Sequence, residues 1–217
     1  QFGEIVLTPY SLASIVPLSN ELVADASLGT GGSIVSMIAG LMGTALAEEE
    51  DKAFWTGNGS GKPTGIDNYS FTTLTAGLTD VSRADTIIQA LYKLPQGYRG
   101  NAVCVANKNT WAKVATLKDS NNQYLLTGLA NSPSPVLRGR PIYEQNDIGD
   151  GKMFIGDFRD YYIADRQGVT VDVSTEATVG GSSAFEKNLT FVRVESRVDG
   201  ELALTNGIVE VGGLGTV

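Results

Sequence analysis

Between Ser33 and Ala47 the chain carries no charged residue. A helix left uncharged all round for about four turns has few stable settings except one with neighbours on more than one side. Ile34, Ile38, Leu41 and Ala45, with Val35, Met42 and Leu46, recur at the three-and-four spacing of a helical face. The opposite face carries Ser36, Gly40, Gly43 and Thr44, which are small rather than solvating. Continued to Trp55, the segment 33–55 predicts a helix of roughly 34 Å at about 1.5 Å per residue. Gly57 is expected to close it in the left-handed conformation, and Asn58-Gly59, Gly61 and Pro63 all bar its continuation.

The glycine loop 57–65, GNGSGKPTG, contains the ingredients of a phosphate cradle but not its order. A P-loop places Gly-Lys-Ser/Thr after a first glycine and four intervening residues. Here Pro63 follows Gly61-Lys62, and Thr56 stands where that first glycine belongs. The loop also leaves a helix C-terminus, the negative end of the dipole, whereas phosphates sit at N-termini. The acidic run Glu48, Glu49, Glu50 and Asp51 is no metal site either, because four consecutive helical residues point in four directions. It lies at the end of the helix where negative charge is unfavourable, so a basic group on a neighbouring subunit is expected to compensate it.

Composition narrows the chemistry further. Histidine is absent and Cys104 is the single cysteine among 217 residues. Catalytic triads that need histidine, histidine zinc sites and an internal disulfide are therefore excluded. Cys104 lies in the apolar run AVCVA and reads as a small core residue. With 16 Lys and Arg against 24 Asp and Glu the net charge is −8, so the chain exerts no overall pull on nucleic acid or an anionic membrane. The uncharged run is too short for a bilayer, which needs about 20 apolar residues. No catalytic residue, cofactor or metal ligand emerges.

Taken in order, residues 4–18 read as an extended arm or edge strand broken by Pro9 and Pro17, with a partner expected from a segment ahead of Gln1. Ser19 to Asp25 reads as a capped short helix, and Gly29 to Gly32 as a hinge. Tyr69 to Leu74 reads as extended. Ser82 or Asp85 then caps a helix with Ile87, Ile88, Leu91 and Leu94 on its apolar side. A buried strand at 101–106 and a helix at 107–117 with Trp111, Val114 and Leu117 on one face follow. NSPSP at 131–135 is a loop, ahead of short strands at 141–144, 153–157 and 161–165, with Tyr161-Tyr162 expected in the core. Residues 168–174 and 189–198 alternate with period two and suit paired antiparallel strands. Asn206-Gly207 is a turn before a last strand at 208–211.

Two motifs flanking the long helix carry a resemblance. Val-Pro-Leu-Ser-Asn-Glu-Leu (Val16–Leu22) precedes it, and Glu-Asp-Lys-Ala-Phe-Trp-Thr-Gly-Asn-Gly-Ser-Gly-Lys-Pro-Thr-Gly-Ile (Glu50–Ile66) follows it. Together with NKNTWAKVATLKDSNNQYLL, Gly139-Arg140-Pro141-Ile142, MFIGDFRDYYIADRQGVTV and FEKNLTFVRVESRVDGEL, the chain resembles the major capsid proteins of tailed bacteriophages, the Hong Kong 97 fold family.

The resemblance implies an α+β fold with a long spine helix, a peripheral domain, an axial domain and an extended E-loop. Residues 1–15 would be the returning half of the E-loop, 16–81 peripheral, 82–160 axial, 161–200 peripheral strands and 201–217 the axial end. An N-terminal arm and any scaffolding segment would precede Gln1. Some members cross-link an E-loop lysine to an asparagine with help from a glutamate. The asparagine falls at Asn188 and the glutamate at Glu195, but the lysine position is Glu4, and no lysine occurs before Lys52. No cross-link is expected.

The implied function is a non-enzymatic shell subunit that assembles into hexamers and pentamers around double-stranded DNA. Its partners would be its own copies, scaffold and portal proteins, and decoration proteins where they exist, with no sequence-specific DNA contact and no membrane. It would reside in the virion and, during assembly, in the host cytoplasm. An encapsulin-like enzyme compartment and, remotely, a small-molecule-binding α/β enzyme are the alternative readings.

Overall fold

The computed structural model describes residues 4–27, 33–125 and 136–215. The expected hinge at Gly29–Gly32 and the loop 131–135 lie outside them. The chain divides into two compact units, one from Gln1–Thr64 and Ile163–Glu201, the other from Gly65–Tyr162 and Leu202–Val217.

The first unit is built on a strand that is polar on one side and apolar on the other. In β10 (Leu189–Leu202) Val192, Val194, Ser196 and Val198 are buried while Arg193 is exposed. It is the middle of three strands, between β1 (Tyr10–Ser19) and β7 (Tyr161–Ser174). β1 runs antiparallel to it from Tyr10 opposite Val198 to Ser19 opposite Leu189. Among the described residues the partner of the N-terminal strand is β10. β1 is an edge, which is where Pro17 is tolerated within a ladder. The strands expected at 161–165 and 168–174 are one continuous strand, because Arg166 and Gln167 between them keep extended geometry.

Ser19 caps α1 (Asn20–Ser27) by accepting from the Leu22 amide at 3.2 Å. The long helix, α2, runs Ile34–Thr56. Val35, Ile38, Met42 and Leu46 pack with Leu12, Val16, Leu18, Val192 and Val194. Among the described residues of α2 only Met42 and Leu46 of this stripe are fully buried, and Met37 and Leu41 stand 62% and 63% exposed. Burial on several sides is therefore not met within one chain.

Gly57 also differs from expectation. Its φ of −61° is ordinary. Glycine is needed there because an added Cβ would collide with the carbonyl oxygens of Pro63 and Ala53. A two-stranded hairpin, β8 (Thr178–Val179) and β9 (Ser182–Ser183), completes the unit.

The second unit is a six-stranded sheet in the order β2 (Thr72–Thr75), β11 (Ile208–Gly212), β6 (Met153–Gly156), β3 (Val103–Ala106), β5 (Arg140–Glu144) and β4 (Val136–Leu137). Strands buried on both faces read as short apolar runs, and the two innermost, β6 and β3, do so. Ala84, Ile87, Ala90 and Leu94 of α3 (Asp80–Lys93) and Trp111 and Val114 of α5 (Lys108–Ala115) pack on this sheet with Cys104, Met153, Ile155 and Val211. α3 is capped by Thr79, whose hydroxyl accepts from the Ser82 amide, not by Ser82 or Asp85. Asn107 caps α5 through the Thr110 amide at 2.8 Å. A single turn, α4 (Gln96–Arg99), links α3 to β3. Tyr161 and Tyr162 were expected in the core, but Tyr161 is half-buried and Tyr162 is 52% exposed, on a strand in which no residue is fully buried.

Candidate functional site

Among the described residues there is no group of three His, Cys, Asp or Glu able to hold a metal ion. No helix of the described residues is long and apolar enough to cross a membrane. The surfaces with chemistry to offer lie at the C-terminal end of α2 and on the loops and strands of the same unit.

The glycine loop after α2 is folded on itself. Gly59 and Gly61 take φ of 73° and 69°, the left-handed values that favour glycine. The Gly59 amide donates to the Pro63 carbonyl at 3.3 Å and the Ser60 amide to Asn58 Oδ1 at 3.2 Å. Two amides a phosphate cradle would aim at an anion are thereby spent on the loop itself.

The acidic run spreads around the last turns of α2 as its spacing dictates. Glu48, Glu49 and Asp51 are exposed, and Glu50 is half-buried, accepting from the Ser196 hydroxyl of β10. Lys52 lies 3.6 Å from Glu49 in an exposed pair, which contributes little to stability. Between the run, the glycine loop and β1 opens a cavity of about 120 Å³. Tyr10, Leu12, Pro63 and Val198 give it apolar walls, and Glu49, Glu50 and Lys62 supply charge. Sequence spacing did not reveal this cavity, because its lining comes from four separate stretches of chain.

Asn188 and Glu195 are not brought together. They stand seven residues apart on the approach to and within one extended strand. That spacing separates them by about 23 Å. Asn188 is exposed at φ 52°, and Asn20 binds it twice, amide to carbonyl at 3.0 Å and Nδ2 to Oδ1 at 2.8 Å. Glu195 accepts from Ser11 Oγ at 2.6 Å and from Arg193. Glu4 is exposed ahead of β1.

Apolar side chains left in the open mark the rest of the unit. Ile163, Val169, Val171 and Val173 of β7 are each about half exposed, on an edge strand. An exposed apolar edge invites pairing with another chain. Phe185, just after the β8–β9 hairpin, is 84% exposed. The sequence signal for it was an aromatic in a polar stretch, with Ser182 and Ser183 before it and Glu186, Lys187 and Asn188 after it.

Comparison with known proteins bears on what such surfaces serve. A family model described as "Phage capsid family" matches residues 1–211. The chain is 24% identical over 222 residues to the major capsid protein of Klebsiella oxytoca phage phiKO2, covering 92% of this chain and 50% of that protein. It is 26% identical over 191 residues to the major capsid protein of Enterobacteria phage HK97, covering 87% of this chain and 47% of that one. The chain thus spans about half the length of these curated relatives. Among solved structures, the capsid of a native GTA particle superposes with a TM-score of 0.83 at 24% identity, over 98% of this chain and 75% of the other. A chain of Mycobacterium phage Bobi gives 0.67 at 19% identity, over 95% and 72%. The mixed helix-and-sheet architecture is therefore the Hong Kong 97-like capsid fold, as the flanking motifs of the long helix led us to expect.

Proposed function

Because the chain belongs to the phage capsid family, we propose that it is the shell-forming part of a major capsid protein. Copies assemble through many modest contacts into hexamers and pentamers that close an icosahedral head around double-stranded DNA. The observation that carries this reading is α2: a helix about 34 Å long, uncharged from its start to Ala47, whose Met37 and Leu41 remain exposed on a lone chain. Solvent gains nothing from such a face, whereas neighbouring subunits would cover it. The curated relatives are structural proteins rather than enzymes.

Within this reading the first unit corresponds to the peripheral domain, with residues up to about 15 as the returning arm of an E-loop. The second unit corresponds to the axial domain that gathers subunits around a capsomer axis. The division of the chain at Tyr162 and Glu201 supports that assignment, while the break at Thr64 falls ahead of the expected boundary at residue 81. Scaffold, portal and decoration proteins are the expected partners, with assembly in the host cytoplasm and residence in the virion. The net charge of −8 supports enclosure of DNA without sequence-specific binding.

Electron microscopy of the complete protein, expressed alone and with its scaffold, tests the proposal. Shells of uniform diameter are expected, with absorbance near 260 nm when DNA has been packaged. Monomers under every assembly condition would overturn it. Shells filled with protein and lacking nucleic acid would point to a compartment for enzymes instead.

A further inference from the structure

We propose that Phe185 of one copy seats in the cavity at the end of α2 of another copy. This inference rests on the shell reading above and names one of its contacts.

The two halves match in size, rigidity and charge. A dry cavity of about 150 Å³ accepts a benzene ring, and the open cavity bounded by Tyr10, Leu12, Pro63 and Val198 is about 120 Å³. Phe185 is 84% exposed and forms no part of the lining of its own chain's cavity. Its turn is fixed in advance. Ala184 is fully buried, its amide donates to the Ala177 carbonyl at 2.9 Å, and its carbonyl accepts from Leu189 at 2.8 Å. The Lys187 amide donates to the Ser183 carbonyl at 3.3 Å, closing the turn around Phe185. A ring held out by such a turn loses little freedom on docking.

Charge then sets the orientation. Phe185 is followed by Glu186 and Lys187, both exposed. The cavity presents Lys62 on the glycine loop and Glu49 and Glu50 on α2. With the ring inserted, the acid faces Lys62 and Lys187 faces Glu49. Lys187 Nζ is held by Ser182 Oγ at 2.7 Å on an exposed surface, a bond readily exchanged for an ion pair. The acidic run at the unfavourable end of the α2 dipole gains in this way the basic partner that the sequence called for. Turn and cavity are different patches of one chain, so the contact is head-to-tail and propagates around a ring of copies.

The complete protein, prepared with its scaffold, provides the test. Replacing Phe185 by the photoreactive p-benzoylphenylalanine should give, on illumination, a cross-linked dimer whose adducts map to residues 10–12 or 61–63. Adducts elsewhere, or none, overturn the contact whether or not shells form. In assembly, Phe185→Ala should lower particle yield roughly tenfold or more, as truncation of an aromatic anchor does. Glu49→Lys and Lys187→Glu should each lower it, and the double variant should recover most of the loss. Wild-type shells with unaffected Phe185→Ala yield, or a double variant no better than its parents, would overturn this contact while leaving the shell reading intact. A wild type that never assembles counts against the shell reading, and the photo-adduct alone then decides the contact.

Discussion

The hydroxyl of Ser196, 1% exposed on β10, donates to the carboxylate of Glu50 on α2. The bond joins the helix to the middle strand at a point where the surrounding contacts are apolar, with Leu46 on the helix and Val194 and Val198 on the strand all buried. Hydrogen bonds to charged groups contribute more than neutral ones, so Ser196→Ala should lower stability by about 1–2 kcal/mol. Glu50→Gln retains an acceptor and should cost less. Urea denaturation of the variants measures both, and an unchanged midpoint for Ser196→Ala would refute the assignment.

Gly57 and Gly61 invite a comparison because the two glycines of one loop are required for different reasons. Gly57 has an ordinary φ but no room for a Cβ, whereas Gly61 has open space and a φ of 69°. Overpacking against two backbone carbonyls should make Gly57→Ala cost about 3 kcal/mol. Left-handed backbone alone should make Gly61→Ala cost about 1 kcal/mol. Thermal denaturation of the pair would reverse this order if loop conformation rather than the close approach to Pro63 were decisive.

The same glycine shows where sequence reasoning reached and where it stopped. Helix α2, the cap at Ser19 and the alternation of β10 follow local rules, so spacing and residue type located them. Gly57 was located as the helix stop, but its reason is a contact with Pro63, which no local rule contains. Strand β1 was legible as an edge, yet its partner lies in β10, nearly the whole chain away. Tyr162 and Phe185 were misjudged or missed because exposure of an aromatic is decided by tertiary packing. The cavity at the end of α2 was invisible for that reason too, although the unbalanced charge of Glu48 to Asp51 pointed toward it.

Stability should fall on both sides of neutral pH, for identifiable groups. Hydrogen bonds from the Arg159 side chain hold the Asp157 carboxyl below its ordinary value, against the opposing effect of burial. Asn107 and then Asn109 do the same for Asp150. Both folded values lie below the unfolded ones, so these contributions are present above about pH 4 and are lost as pH falls through the folded values. Lys152 is shifted the other way, chiefly by its 2.7 Å hydrogen bond to Asp67. Its contribution is present below its ordinary value of 10.5 and lost as pH rises through the folded one. The pH profile of the urea midpoint should therefore flatten at its acid end in Asp157→Asn and at its alkaline end in Lys152→Met. Variant profiles parallel to the wild type would show that these groups do not set the limits.

Cys104 sits at the centre of the six-stranded sheet, opposite Ile155 and Ile142, and is 1% exposed. Burial pushes its thiol up to about 12, only partly offset by Arg140. At pH 8 roughly one thiol in ten thousand is then ionised, and the thiolate is the reactive form. Alkylation in the folded protein should be more than about a hundredfold slower than in urea, as followed by mass spectrometry. Equal rates would mean that the sheet opens far more readily than its packing indicates.

Cross-linking through Asn188 would need a lysine amine, and the position that the resemblance matches to that lysine is Glu4, which can neither attack an amide nor form an isopeptide bond. The other two parts are already engaged: Asn188 binds Asn20 at the start of β10, and Glu195 is held by Ser11 and Arg193. These bonds account for both residues as parts of the sheet, with no further chemistry required of them. Asn188→Ala should accordingly lower stability, by loss of its tie to Asn20, without altering the pattern of bands on a denaturing gel. Mature particles of the wild type should dissolve to a single monomer band, and a ladder of multimers that disappears in Asn188→Ala would establish that another lysine completes the site.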